Sequence, residues 1–168
     1  MGRYESLKYD IVVQEGPFEI RLYKPFDTVS CDENELRGTR GFRTLFSYIS
    51  GDNDKRKTIS MTVPVINSLG KKSMTMEFVV PSKVSQEGIP SPLDHTLSIR
   101  HHPEQKVAVY TFRGRTDNHA IVHARTQLED WIRSRNLGIP MAFRLARFQP
   151  PFISGIFKKN EIHAILDV

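Results

Sequence analysis

The same order of periodicities occurs twice in this 168-residue chain, offset by about 79 positions. At that offset Glu19-Ile20-Arg21 falls over Ser98-Ile99-Arg100, and Phe42, Leu45 and Ile49 fall over Ile121, Ala124 and Leu128. Met61, at the start of one extended run, lands on Pro140, just ahead of another. Few identities accompany the match, so the repeat is one of pattern. Each half, about 9–81 and about 96–168, reads as strand, helix, strand, strand. A unit that small cannot bury its own sheet, and two such units close on one another. The expectation is therefore a single α+β domain over 1–168, with the seam between halves as the natural place for a ligand pocket.

The individual runs follow from alternation and punctuation. Tyr9–Glu15 and Phe18–Lys24 read as strands separated by Gly16-Pro17, and 27–31 as a short third. A helix is predicted over 33–50, with Phe42, Leu45, Phe46 and Ile49 on one side and Arg37, Arg40, Thr44 and Ser47 on the other. Strands are predicted over 58–66 and 73–81, an irregular Pro/Gly-bearing loop over 82–94, and a hairpin over 96–101 and 106–113. Asp117 caps a second helix running to about 135, whose buried stripe is Ile121, Ala124, Leu128, Trp131 and Ile132. Strands at 141–149 and 160–168 complete the chain.

Composition narrows the function classes. No apolar run approaches the roughly 18 residues of a membrane span, and no apolar leader opens the sequence. A lone cysteine, Cys31, has no partner for an internal disulfide, which points to a reducing, cytoplasmic compartment. The net charge of +5 and pI near 9.4 favour anionic ligands. The basic residues are scattered in short turn clusters, such as Lys55-Arg56-Lys57, and do not form a nucleic-acid footprint. No nucleophile elbow, phosphate loop, dinucleotide glycine pattern or zinc-type Cys/His spacing is present.

The remaining chemistry-bearing residues each admit two roles. His119 and His123 share a helix face, but it is opposite the buried stripe and reads as solvent-facing. His101-His102 stands at a hairpin end. His163, on the final strand, points away from Ile162, Ala164 and Leu166 and is a weak metal-ligand candidate. Met61, Met74 and Met76 lie on neighbouring strands near Phe78; methionines there either fill a core or line a surface for a flat ligand. Arg37 and Arg40 either pair with carboxylates of an anionic ligand over the first helix or stand free in solvent. Glu161 opens the last strand, as a pocket base or an ordinary strand-end carboxylate.

Gly41-Phe42-Arg43-Thr44-Leu45-Phe46-Ser47-Tyr48-Ile49-Ser50-Gly51-Asp52-Asn53, with Ile59-Ser60-Met61-Thr62-Val63-Pro64-Val65 after it, resembles the signature of the SOUL haem-binding protein family. Phe18–Tyr23, Phe78-Val79-Val80-Pro81 and Gln149-Pro150-Pro151-Phe152 are similar to further family segments in the same order. The resemblance implies a distorted antiparallel β-barrel of two pseudo-symmetric β-α-β-β halves with two long helices. It also implies non-covalent binding of haem or a related tetrapyrrole by an apolar surface with basic residues nearby. The role the resemblance implies is intracellular buffering or transfer, not turnover. Mapped onto this chain, Phe42, Phe46, Met61 and Met76 supply the apolar surface, and Arg37, Arg40 and Arg43 meet the propionates. Leu22 stands where some members carry a histidine. The same architecture also resembles gyrase-inhibitor-like effector domains, some of whose relatives are hydrolases. In that alternative Glu161 and Tyr110 line a central pocket.

Overall fold

The computed structural model describes residues 4–34, 39–70, 73–149 and 158–167. The first residues make β1 (Glu5–Ser6), then β2 (Tyr9–Glu15), β3 (Phe18–Tyr23) and β4 (Phe26–Glu33), followed by helix α1 (Thr39–Ile49). Next come β5 (Thr62–Val63), β6 (Val65–Leu69), β7 (Met74–Val79) and the short helix α2 (Ser82–Glu87). The last stretch holds β8 (Leu97–His102), β9 (Gln105–Arg113), α3 (Asn118–Ser134), β10 (Ala142–Arg147) and β11 (Lys159–Asp167).

Several of these depart from the sequence reading. The helix predicted from 33 is α1 from Thr39, because 26–33 pairs as one long strand between β7 and β8 and Glu33 is its last residue. The strand predicted over 58–66 is two pieces, β5 and β6, separated by Pro64, which has no N–H to give a ladder. The loop predicted over 82–94 contains α2, bounded by Pro81 before it and Gly88 after it. Asp117 does cap α3, its carboxylate accepting from the Ala120 N–H at 2.9 Å.

Nine strands form one antiparallel sheet in the order β2-β3-β9-β11-β10-β6-β7-β4-β8, and β1 pairs with β5 in a small parallel ribbon. The large sheet ends in β2 and β8 and is not closed, so the barrel implied by the family resemblance is an open sheet in its hydrogen bonding. Register places both long helices on one face. Ala108 is opposite Ala164 and Ala164 opposite Phe143; Leu145 is opposite Asn67, Asn67 opposite Met76, and Met76 opposite Cys31. At one end of that series α3 buries Ile121, Ala124, Leu128, Trp131 and Ile132 against Ala108, Leu145, Ile162 and Ala164. At the other end α1 buries Leu45, Tyr48 and Ile49 against Val29, Cys31, Met76 and Phe78.

Among the described residues the opposite face carries no helix, yet many of its side chains, Arg21, Tyr23, Arg144 and His163 among them, are buried. Tyr23 on β3 and Phe26 on β4 stand second and eighth in the strand order, and both rings lie over the Arg144 guanidinium of β10, at 5.4 and 5.7 Å. The two arms of the sheet therefore curl toward each other, as strongly twisted sheets do. Leu7 lies between them, packing against Tyr23, Val107 and Val109 on one arm and Phe26, Ile66 and Val79 on the other.

Candidate functional site

The curled interior is built on charge. Register sets His163 opposite Arg144 across β11 and β10, and Glu161 shares their face two residues earlier. Arg21 of β3 donates from both terminal nitrogens to the two Glu161 oxygens, each at 2.9 Å, and also to the Tyr23 hydroxyl at 2.7 Å. Its Nε donates to Glu19 at 2.6 Å, and its guanidinium lies 4.2 Å from the Tyr9 ring centre. Arg144 Nε donates to His163 Nδ1 at 2.9 Å, so that nitrogen is an acceptor and the ring proton sits on Nε2, which donates to Glu161 Oε1 at 2.7 Å. Arg144 Nη1 donates to Gln105 Oε1 at 2.9 Å.

The electrostatics follow from that wiring. Burial pushes the Glu161 carboxyl up, but hydrogen bonds and charge from His163 and Arg21 outweigh it and hold the group well below the usual carboxylate range. Burial pushes His163 down to about 4, the neighbouring Arg144 charge adding to the effect. A second polar cluster lies on the far arm. Glu77 accepts from the Thr28 hydroxyl at 2.6 Å and pairs with His102 Nε2 at 2.9 Å, while Phe26 stacks on the His102 ring at 4.6 Å. Burial raises the Glu77 carboxyl, and the His102 and Thr28 hydrogen bonds reverse this to a net lowering.

The family-derived residues lie on the other face, around α1. Arg40 and Arg43 are exposed and line an open cleft of about 440 Å³ with Glu33, Asn34, Thr39 and Thr44. Phe46 is 51% exposed and stacks on the half-buried Phe42 at 6.1 Å with nearly parallel rings. Phe42 meets Phe78 edge-on at 5.3 Å and packs on the core that includes Met76. Met61 packs half-buried on that same core, and Met76 lies fully inside it. The fold thus brings Arg40, Arg43, Phe42 and Phe46 together on one helix and sets Met76 beneath them. Arg37 lies outside the described residues.

The other candidates separate. Glu161 and Tyr110 lie on opposite faces of the sheet: Tyr110 faces α3 with Phe18 at 5.1 Å, while Glu161 points into the curled interior. His163 is wholly buried with both ring nitrogens engaged, which leaves neither to a metal. Among the described residues no three His, Cys, Asp or Glu side chains form a metal cluster. Arg21 and Arg144, which organise the interior, were not singled out from the sequence. The available signal was a charged residue flanked by apolar neighbours within a strand, Ile20-Arg21-Leu22 and Phe143-Arg144-Leu145.

The profile of the SOUL heme-binding protein family matches residues 4–165. The chain belongs to the SOUL family. It is similar to Heme-binding protein 2 of Homo sapiens, 32% identical over an alignment of 112 residues, with 60% of this chain and 54% of that protein covered. The chain thus spans about half the length of the relative it matches. In fold it resembles the EcmrR C-terminal domain, with a TM-score of 0.68 at 10% identity, covering 95% of this chain and 99% of that one. It also resembles a hydrolase from Listeria innocua, with a TM-score of 0.56 at 10% identity, covering 91% and 93%. At those identities the likeness is one of fold alone. No helix among the described residues is long and apolar enough to cross a membrane.

Proposed function

We propose that this SOUL-family chain binds haem or a related tetrapyrrole on the outer side of α1, as a cytoplasmic buffering or transfer protein and not an enzyme. The observation that carries the reading is the exposed Phe46 ring, stacked on Phe42 beside the exposed Arg40 and Arg43. A porphyrin is a flat apolar ring with two propionates. The ring matches the aromatic pair, and the propionates match two guanidinium groups at the rim of an open cleft. These residues fit the macrocycle and its acids. They include no iron ligand, and His163 is committed to Arg144 and Glu161. Binding on this reading rests on ring contact and charge, and an iron-free porphyrin uses the same contacts.

The same reading takes residues 1–168 as one domain of two related halves. In its support, dropping β2 leaves the order β3-β9-β11-β10-β6-β7-β4-β8, in which each strand of the first half mirrors its counterpart in the second. The β6 and β10 strands pair at the centre, where a two-fold relation between halves would pass. The hydrolase alternative asks Glu161 to take up a proton from a substrate, next to Tyr110. Its carboxylate is instead saturated by Arg21 and His163, on the face away from Tyr110, and the binder is the better-supported reading.

Haemin titration of the purified protein tests this. The expected result is a saturable Soret shift at one haemin per chain. A rise that never saturates, as free haemin aggregates give, would overturn it.

A further inference from the structure

Among the described residues one buried group is left incomplete. Arg144 is 3% exposed, and its Nη2 has no hydrogen-bond partner, the one such buried side-chain atom among the described residues. Its two other nitrogens donate to neutral acceptors, His163 Nδ1 and Gln105 Oε1. The nearby carboxylates are spoken for: Glu161 by Arg21 and His163, Glu77 by Thr28, Thr75 and His102. An arginine held this far from water, with no anion in hydrogen-bonding contact and one N–H pair unmade, is costly unless something completes it.

Phe26, whose ring lies over that guanidinium, is also the wall of an outward-opening cleft of about 210 Å³. The cleft is floored by Leu7, Phe26, Val79 and Val80 and rimmed by Lys8 and Lys24. Its acids are engaged: Glu5 accepts from the backbone N–H and hydroxyl of Ser82, both at 2.8 Å, and Asp27 pairs with His101 at 2.7 Å. The lining thus holds two acids and two lysines, and the lysines have no carboxylate within ion-pair distance among the described residues, which leaves both ammonium groups to meet an anion above the apolar floor.

We propose that Arg144 is the buried end of an anion site entered through this cleft, and that its ligand is a small carboxylic acid with an apolar body. The carboxylate completes Nη2, and the apolar body replaces Leu7 between the two arms of the sheet. Leu7 belongs to the segment that joins β1 to β2, and its displacement opens the way without breaking the large sheet. This site is on the opposite face from α1 and is independent of tetrapyrrole binding.

The test is calorimetric titration of the intact protein with octanoate, alongside octanol and octylamine as neutral and cationic matches of the same chain length. Octanoate is expected to bind saturably and at least about tenfold more tightly than either control. Arg144→Gln should weaken octanoate about tenfold or more, and the surface variant Lys8→Glu/Lys24→Glu, which leaves the interior intact, should weaken it severalfold. The haemin titration should not change in either variant. Equal binding of octanol, full octanoate affinity in the double lysine variant, or no saturable binding of octanoate would overturn the proposal and leave Nη2 to a water molecule.

Discussion

His163 receives a hydrogen bond at Nδ1 and gives one at Nε2, and the first of these depends on its being neutral. A second proton would point Nδ1–H at the Arg144 Nε–H and add a cation beside Arg144 and Arg21, with Glu161 the one acid in contact among the described residues and the Tyr23 ring 5.6 Å away. Burial first, and the Arg144 charge beside it, depress the group to about 4, below the ordinary 6.5. The unfolded chain then binds more protons than the folded one between pH 6.5 and 4, so stability falls as pH drops through that window. The Glu161 shift has the same sign and extends the loss further into acid. Urea unfolding should show up to about 3 kcal/mol lost between pH 6.5 and 4. His163→Gln, which keeps an acceptor and a donor, should flatten that slope; an unchanged slope would refute the assignment. At this scale the sequence was legible in direction and not in partnership. Alternation shows that His163 faces away from Ile162 and Ala164, but the Arg21–Glu161 pair joins residues 140 positions apart, which no local pattern reports.

Among the elements, the join between β4 and α1 is the most constrained. Glu33 ends the strand with its carboxylate on the Gly41 N–H at 2.8 Å and the Asn34 N–H at 2.9 Å, an acid at a helix start where the dipole favours one. A Cβ on Gly41 would come within 2.5 Å of that carboxylate oxygen and 3.2 Å of the Cys31 sulfur. Alanine is the better helix former by about 1 kcal/mol, yet Gly41→Ala should lower stability, by about 1–3 kcal/mol, because Glu33 must give up its backbone contacts. A thermal melt in which the variant is the more stable protein would contradict this. The helix start was misread from sequence for the same reason: Glu33 was assigned to the helix when it serves the helix from the strand. The stripe of α3 was readable because its burial is periodic, and all five of its stripe residues, Ile121, Ala124, Leu128, Trp131 and Ile132, are buried. By contrast α2 is only six residues long, too short for periodicity to outweigh the prolines around it.

For the whole molecule, one sheet presents two different chemistries. Its helix-covered face is apolar and offers a surface at α1; its curled face sets charged side chains among apolar ones and is closed by Leu7. The alternation of each strand foretold two faces, but not that the outer strands would approach one another without pairing, since closure depends on twist summed over nine strands. The family signature drew attention to α1, where Arg40, Arg43, Phe42 and Phe46 gather, while burial removes Met76 from the surface they make. The central claim is that this helix surface, and not the interior, holds the tetrapyrrole. Haemin affinity in Arg40→Ala/Arg43→Ala/Phe46→Ala, set against Glu161→Gln, tests it most directly. A loss of about tenfold or more is expected in the α1 variant, with wild-type affinity in Glu161→Gln. Wild-type affinity in the α1 variant, or a loss confined to Glu161→Gln, would contradict it.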